Sequence, residues 1–114
     1  RHKIMYNNIA FLVEIVNTGT VDEYGDTVFS ENYKEVFCNV LSVGMKEFYQ
    51  AQTSGSKPEL KISIADYYDY DGQEEVIVDE IRYKVLRTYR ALGSNVLEIT
   101  LYGGVRDERT EISH

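Results

Sequence analysis

The residues that most resemble a chemical site form one acidic run, DYYDYDG at residues 66–72. Its spaced aspartates resemble the calcium-binding loop of an EF-hand, in which Gly72 would take the invariant glycine position. That alignment places Tyr67 at the first ligand position and Val78 at the twelfth, and neither side chain is a calcium ligand of that loop. The run therefore predicts an acidic connection between two strands rather than a metal site.

Other candidate catalytic residues are scarce. His2 and His114 are the two histidines and lie at opposite ends of the sequence, so no Ser-His-Asp set or histidine metal site can form in the central region. Cys38 is the single cysteine, which excludes an intrachain disulfide. It lies in an apolar run without a nearby histidine, so we expect a buried core thiol. The sequence predicts a protein that is not an enzyme and needs no cofactor.

Size and charge limit the function further. With 114 residues, 43% hydrophobic and 27% charged, the chain predicts one domain with a core at about residues 9–102 and flexible ends at 1–8 and 103–114. No apolar run is long enough to span a membrane. The net charge of −7 disfavours wrapping of duplex DNA, but an acidic surface suits a conduit through which DNA passes without sticking.

Period-two alternation of apolar residues indicates a mainly β fold. We predict about six strands, one short helix and a long central loop, arranged as a small antiparallel β-barrel or sandwich. The predicted strands cover residues 9–16, 28–43 (one bent strand or two short ones), 59–65, 74–78, 81–89 and 96–102. Between the first two we expect a loop or loose hairpin end at residues 18–26. From residue 36 to 43 both faces are apolar, as in a strand covered on two sides.

A hairpin with a specific register is expected at residues 74–89. If Asp79-Glu80 forms the loop, opposite residues have numbers that sum to 159, so that Glu75 faces Lys84. The apolar side chains then share one face. Asp-Glu is a poor type I′ turn, so a longer loop stays possible.

The alternation lapses at residues 42–58, SVGMKEFYQAQTSGSKP. Residues 45–52 carry apolar side chains at the spacing of a two-turn helix, and Phe48 is the expected anchor of that helix to the core. A polar, loop-like run follows it. Long polar insertions in small β domains often contact a partner or a channel.

Together with its flanks, this stretch resembles the head–tail joining proteins of long-tailed bacteriophages and prophages, also called head-closure, head-completion or stopper proteins. The resemblance spans residues 9–102 and depends on the order of several short motifs. They are Val36-x-Cys38-x-Val40-x-Ser42-Val43, Glu47-Phe48-Tyr49-x-Ala51, Gly55-x-Lys57-Pro58-Glu59, Ala65-Asp66-Tyr67, Tyr83-x-Val85, Arg87-Thr88-Tyr89 and Val96-Leu97-Glu98-Ile99.

The resemblance implies a structural connector protein of the virion, assembled in the host bacterial cytoplasm. Such a subunit forms a ring, commonly a dodecamer, below the portal or adaptor protein, closes the DNA channel and docks a tail-completion or tail-terminator protein. The isolated protein would be a monomer or weakly associated. Genomic DNA would make passing contact with it. By position, the residues that would face the channel or a neighbouring subunit are Lys46, Gln50, Thr53, Ser54, Ser56 and Lys57.

Two rival hypotheses remain at the level of sequence. The first is a tail terminator or another small phage β-barrel that acts as a binding module. The second is a small hydrolase that uses the carboxylates of Asp66, Asp69 and Asp71.

Overall fold

Alternation of apolar and polar residues produces six β-strands, connected by turns rich in Gly, Asp and Asn. The computed structural model describes residues 6–42 and 57–107. The strands are β1 (Asn8–Val21), β2 (Thr27–Leu41), β3 (Pro58–Ile64), β4 (Glu75–Val78), β5 (Ile81–Tyr89) and β6 (Leu97–Arg106), and a 3-10 turn covers Tyr67–Asp69. The described residues include no helix that is long and apolar enough to cross a membrane.

The strands close on themselves in the order β1-β2-β3-β6-β5-β4, which is that of a closed barrel. Every neighbouring pair is antiparallel, and the pairing of β4 with β1 completes the ring. The mainly β fold predicted from the sequence is therefore confirmed.

The core is the inside of this ring. Inward-facing aliphatic side chains from all the strands fill it, and Leu12, Ile62 and Ile99 are completely buried. Leu97 and Leu101 flank Ile99 on the same face of β6, as the alternation predicted. The full buried cluster is Ala10, Leu12, Val36, Cys38, Ile62, Ile64, Val76, Val78, Leu97, Ile99 and Leu101.

The hairpin β4–β5 has the predicted register, with Glu75 opposite Lys84 and Val78 opposite Ile81. The connection is the two-residue loop Asp79-Glu80, although this pair is a poor choice for a type I′ turn. Both residues adopt positive φ angles, 52° and 67°. Pairing of the flanking strands holds this turn in place against its local preference.

The first hairpin is longer than predicted. β1 continues past residue 16 to Val21, so the loop expected at residues 18–26 shrinks to a turn at 22–26. The turn signal at Asn17-Thr18-Gly19 marks instead a register shift within the strand pair. Gly19 there has a φ of 79°, and the Thr18 hydroxyl donates to the Val28 carbonyl at 2.8 Å. Gly19 and the polar side chains of Asn17 and Thr18 thus produce a bulge at the position where the sequence suggested that the strand ends.

Two further expectations need correction. Residues 103–107 are not a flexible end, because β6 runs through Gly103 and Gly104 to Arg106. A Cβ at Gly104 would lie 2.7 Å from the Tyr83 ring, so glycine is required there by close packing rather than by a chain end. The strand around Phe37 is not covered on both faces, since Cys38 is buried whereas Phe37 is 62% exposed.

The helix predicted at residues 45–52 and most of the long central loop lie outside the described residues, as do the chain ends at 1–5 and 108–114.

Replacing the strained turn should stabilise the protein. Asp79→Asn together with Glu80→Gly supplies residues that tolerate positive φ, and we expect a gain of about 1 kcal/mol in the free energy of unfolding, measured in urea. Glu80→Gln is the control, because it removes the charge and keeps the strain. A double variant no more stable than this control would contradict the prediction.

Cys38 should resist thiol reagents in the folded protein. Burial, aided by the charge of Asp79, raises the pKa of its thiol from 9.0 to about 11. At pH 8 that shift alone lowers the thiolate fraction about a hundredfold. Labelling in native buffer should therefore be at least about a hundred times slower than in denaturant. Equal rates would show that Cys38 is accessible.

Candidate functional site

The direction of each strand determines at which end of the barrel its connections lie. Because neighbours are antiparallel, the β1–β2, β3–β4 and β5–β6 connections leave at one end. The β2–β3 and β4–β5 connections leave at the other end, where β1 begins and β6 finishes. We call these the upper and the lower end.

The channel segment predicted from the sequence connects β2, which ends at the lower end, to β3, which begins there. Fourteen residues separate Ser42 from Lys57 there. Lys57 is exposed and directly precedes Pro58, the first residue of β3. The other predicted channel residues, Lys46, Gln50, Thr53, Ser54 and Ser56, and the predicted anchor Phe48 lie outside the described residues.

The acidic run at 66–72 closes the upper end of the barrel. The Asp66 carboxylate caps a 3-10 turn by accepting a hydrogen bond from the Tyr68 amide at 3.0 Å. Tyr67 and Tyr70 pack against the core, and the Tyr67 amide donates to the Asn95 carbonyl at 2.8 Å. The Asp66 carboxylate therefore supports the connection itself, whereas the Asp71 carboxylate pairs with Lys34 of β2 at 3.7 Å.

An aromatic and cationic stack lies beside this connection. The rings of Tyr67 and Tyr68 stack with centroids 4.2 Å apart, and the Arg90 guanidinium lies 3.8 Å from the Tyr67 centroid. The hydrogen bond between the two tyrosines, with help from Arg90, lowers the pKa of Tyr67, and the same bond raises the pKa of Tyr68. This stack ties the β3–β4 connection to the end of β5.

The most conspicuous surface feature is a two-stranded arm formed by residues 14–32, which the sequence did not reveal. β4 pairs with β1 only from Ala10 to Val13, so that the hairpin continues alone past the rim of the barrel. Its tip is tightly built, because the Asp22 carboxylate accepts from the amides of Tyr24 at 2.9 Å and Asp26 at 3.0 Å. The exposed apolar residues of the arm are Ile15, Val16, Val21, Tyr24 and Phe29.

An ion-pair cluster around Arg82 secures the base of the arm. The guanidinium makes a two-pronged contact with Glu31, at 2.9 and 3.3 Å, and also binds Glu75. Its Nε lies 3.6 Å from the carboxylate of Asp107, which is 5% exposed. One side chain of β5 therefore joins the arm, β4 and the residue that follows β6. Desolvation alone would lower the pKa of Arg82, but the hydrogen bonds that it donates to Glu31 and Glu75 raise it.

Charge segregation along the chain was a signal for this cluster. Residues 66–80 are acidic without a basic residue and residues 81–90 are basic without an acidic one, and the Arg82–Glu75 pair joins the two stretches across the hairpin. The contributions of Glu31 and Asp107 had no sequence signal, because both residues are remote from Arg82 along the chain.

An acidic cleft of about 650 Å³ opens between the arm and the β3–β4 connection. Four of the five carboxylates that line it have partners among the described residues, and one of these is Asp71, which pairs with Lys34 at 3.7 Å. Glu31 and Glu75 bind Arg82, and Glu14 accepts a hydrogen bond from the buried Gln73 amide at 2.9 Å. Among residues 6–42 and 57–107 no three His, Cys, Asp or Glu side chains are grouped to hold a metal ion.

Comparison with known proteins gives no independent assignment: no protein-family model matches this sequence, and no curated protein matches it significantly.

Loss of the Arg82 side chain should destabilise the fold strongly. Arg82→Met leaves the largely buried carboxylates without their cation, and we expect a loss of about 3 kcal/mol in the free energy of unfolding, measured by denaturant titration. Arg106→Met is the matched control. Its side chain is 60% exposed and pairs with Glu80 at 3.3 Å, so its loss should cost about 0.5 kcal/mol. Similar losses in both variants would contradict a central role for Arg82.

Proposed function

We propose that this protein is a non-enzymatic connector subunit at the head–tail interface of a long-tailed phage or prophage. In this role it assembles into a ring below the portal or adaptor protein, closes the DNA channel after packaging and provides a docking surface for the tail. The motif resemblance over residues 9–102 is the source of the proposal, and the fold supplies physical support for it.

The observation that carries the proposal is the two-ended layout of the barrel. β2 ends and β3 begins at the lower end, near Ser42 and Lys57, whereas the arm extends from the upper end. A subunit placed between two layers of a particle needs separate contact elements at its two ends, joined by a rigid body. The closed ring, with its buried aliphatic core, supplies such a body.

The electrostatics suit passage of DNA. A net charge of −7 repels phosphate on average, so DNA can slide past the protein rather than be retained by it. In this mechanism the segment between β2 and β3 narrows the channel sterically. Its polar residues, Ser54 and Ser56 among them, would contact DNA or a neighbouring subunit without forming a basic patch.

Shortening this segment should separate folding from function. Deletion of residues 54–57 in the phage should leave the barrel folded but yield heads that leak DNA or fail to join tails, observed by electron microscopy and by nuclease protection of the packaged genome. Replacement of the same four residues by Gly-Ser-Gly-Ser is the control, because it keeps the length and changes the side chains. Full-length, infectious particles from the deletion would reject the gating role.

Fractionation of particles distinguishes the connector from the tail-terminator alternative. A connector subunit should remain on tailless heads that are filled with DNA. A tail terminator should instead be found on tails assembled without heads.

A further inference from the structure

The arm carries two unpaired strand edges. Within the described residues, β1 pairs only with β2 from Glu14 to Val21, and β2 pairs only with β1 from Thr27 to Phe37. At about 3.3 Å per residue, the free stretch of β1 is about 26 Å long. An unpaired edge of this length is a template for the addition of another strand.

The arm has a bulge between Asn17 and Val21, but it lacks the residue types that most often block such addition. Residues 14–32 contain no lysine, no arginine and no proline, the residues that commonly protect exposed edges. Their five charged side chains are all acidic, and three of them, Asp22, Glu23 and Asp26, lie at the tip. The exposed rings of Tyr24 and Phe29 add apolar surface to the same element.

A complementary edge exists on β5. β4 pairs with β5 only up to Lys84, so that residues 86–89 pair only with β6 among the described strands. This part of the chain is basic: residues 81–90 include Arg82, Lys84, Arg87 and Arg90 and no acidic residue. Lys84, Arg87 and Arg90 are exposed, and Arg90 also stacks on Tyr67, whereas Arg82 is only partly exposed and lies in the cluster at the base of the arm. Tyr89 and Leu92 are exposed beside them.

We propose that the arm of one copy adds to the β5 edge of a second copy, with its acidic tip against Lys84, Arg87 and Arg90. Contact between two arms is disfavoured by charge, because every charged residue of both arms is acidic. The basic edge of β5 offers both open backbone groups and opposite charge. The arm and β5 are different surfaces of the chain, so the contact is head-to-tail.

A head-to-tail contact repeats from copy to copy and closes into a ring when the rotation between copies permits it. In this respect the inference rests on the connector proposal, which it deepens by naming the surfaces that join neighbouring subunits. The affinity of this contact should depend on ionic strength, since contacts between exposed charged groups weaken as salt screens them.

A charge swap tests the contact on the full chain. The arm variant carries Glu23→Lys and Asp26→Lys, and the β5 variant carries Lys84→Glu and Arg87→Glu. Asp22 is kept because its carboxylate holds the turn of the arm, and Arg90 is kept because it stacks on Tyr67. Sedimentation velocity at low salt and high protein concentration measures association, and circular dichroism checks that each variant is folded.

We expect the unmodified protein to associate, and about 0.5 M salt to weaken that association tenfold or more. Each variant alone should sediment as a monomer, because its arm and its β5 edge then carry the same sign. An equimolar mixture should associate again, since the lysine arm faces the glutamate edge and the native arm faces the native edge. This rescue separates a specific contact from a general effect of net charge.

A shortened arm provides a second test, which removes the free edge and the acidic tip together. Replacing residues 17–29 by Asn-Gly connects Val16 to Ser30, its partner in register, through a two-residue turn. The replacement removes most of the free edge. This variant should stay monomeric at all concentrations. The inference is overturned if the shortened protein or either charge variant associates like the unmodified chain, if the mixture fails to associate, or if the unmodified protein stays monomeric up to its solubility limit. None of these results would alter the outcome of deleting residues 54–57, which tests the connector function itself.

Discussion

The pairing of β4 with β1 is the constraint on which the rest of the structure depends. β4 has only four residues, yet it bonds to β5 on one side and to β1 on the other, and so converts a six-stranded sheet into a ring. Closure removes the sheet edges from the barrel and places one layer of aliphatic side chains inside it. A domain of this size has little apolar surface to bury, so a closed ring is an economical way to enclose it.

The shortness of β4 has a second consequence. Because it stops pairing at Val13, β1 and β2 continue past the barrel with no further neighbour among the described strands, and β5 beyond Lys84 pairs there only with β6. The shortness of the strand that closes the barrel therefore also produces the open edges of the arm and of β5. Arg82 holds this junction together, because it binds Glu31 at the base of the arm and contacts Asp107, the residue after β6. The arm is thus firmly held at its root while its edges remain available.

Local sequence patterns predicted the individual strands and one hairpin well. They gave wrong predictions at positions whose structure depends on contacts with strands that are distant in the sequence. The register of β4 and β5 followed from alternation and a two-residue loop alone, although Asp79 and Glu80 suit that loop poorly. Gly103-Gly104 resembled a chain end, but packing of Tyr83 from the neighbouring strand requires glycine at 104. The partners of Arg82 on β2 and after β6 had no sequence signal, because ion pairs between remote residues depend on strand order.

The sequence by itself determined the mainly β class, the inward-facing side chains of β3 and β6, the buried state of Cys38 and the acidic character of the surface. These features depend on period-two alternation and composition, which are local properties of the chain. Only the tertiary structure decided that the sheet closes and that residues 14–32 project as an arm. It also decided that the arm leaves one end of the barrel, whereas β2 ends and β3 begins at the other. Those outcomes depend on which strands become neighbours. That arrangement is determined by the free energy of contacts between residues that are distant in the sequence.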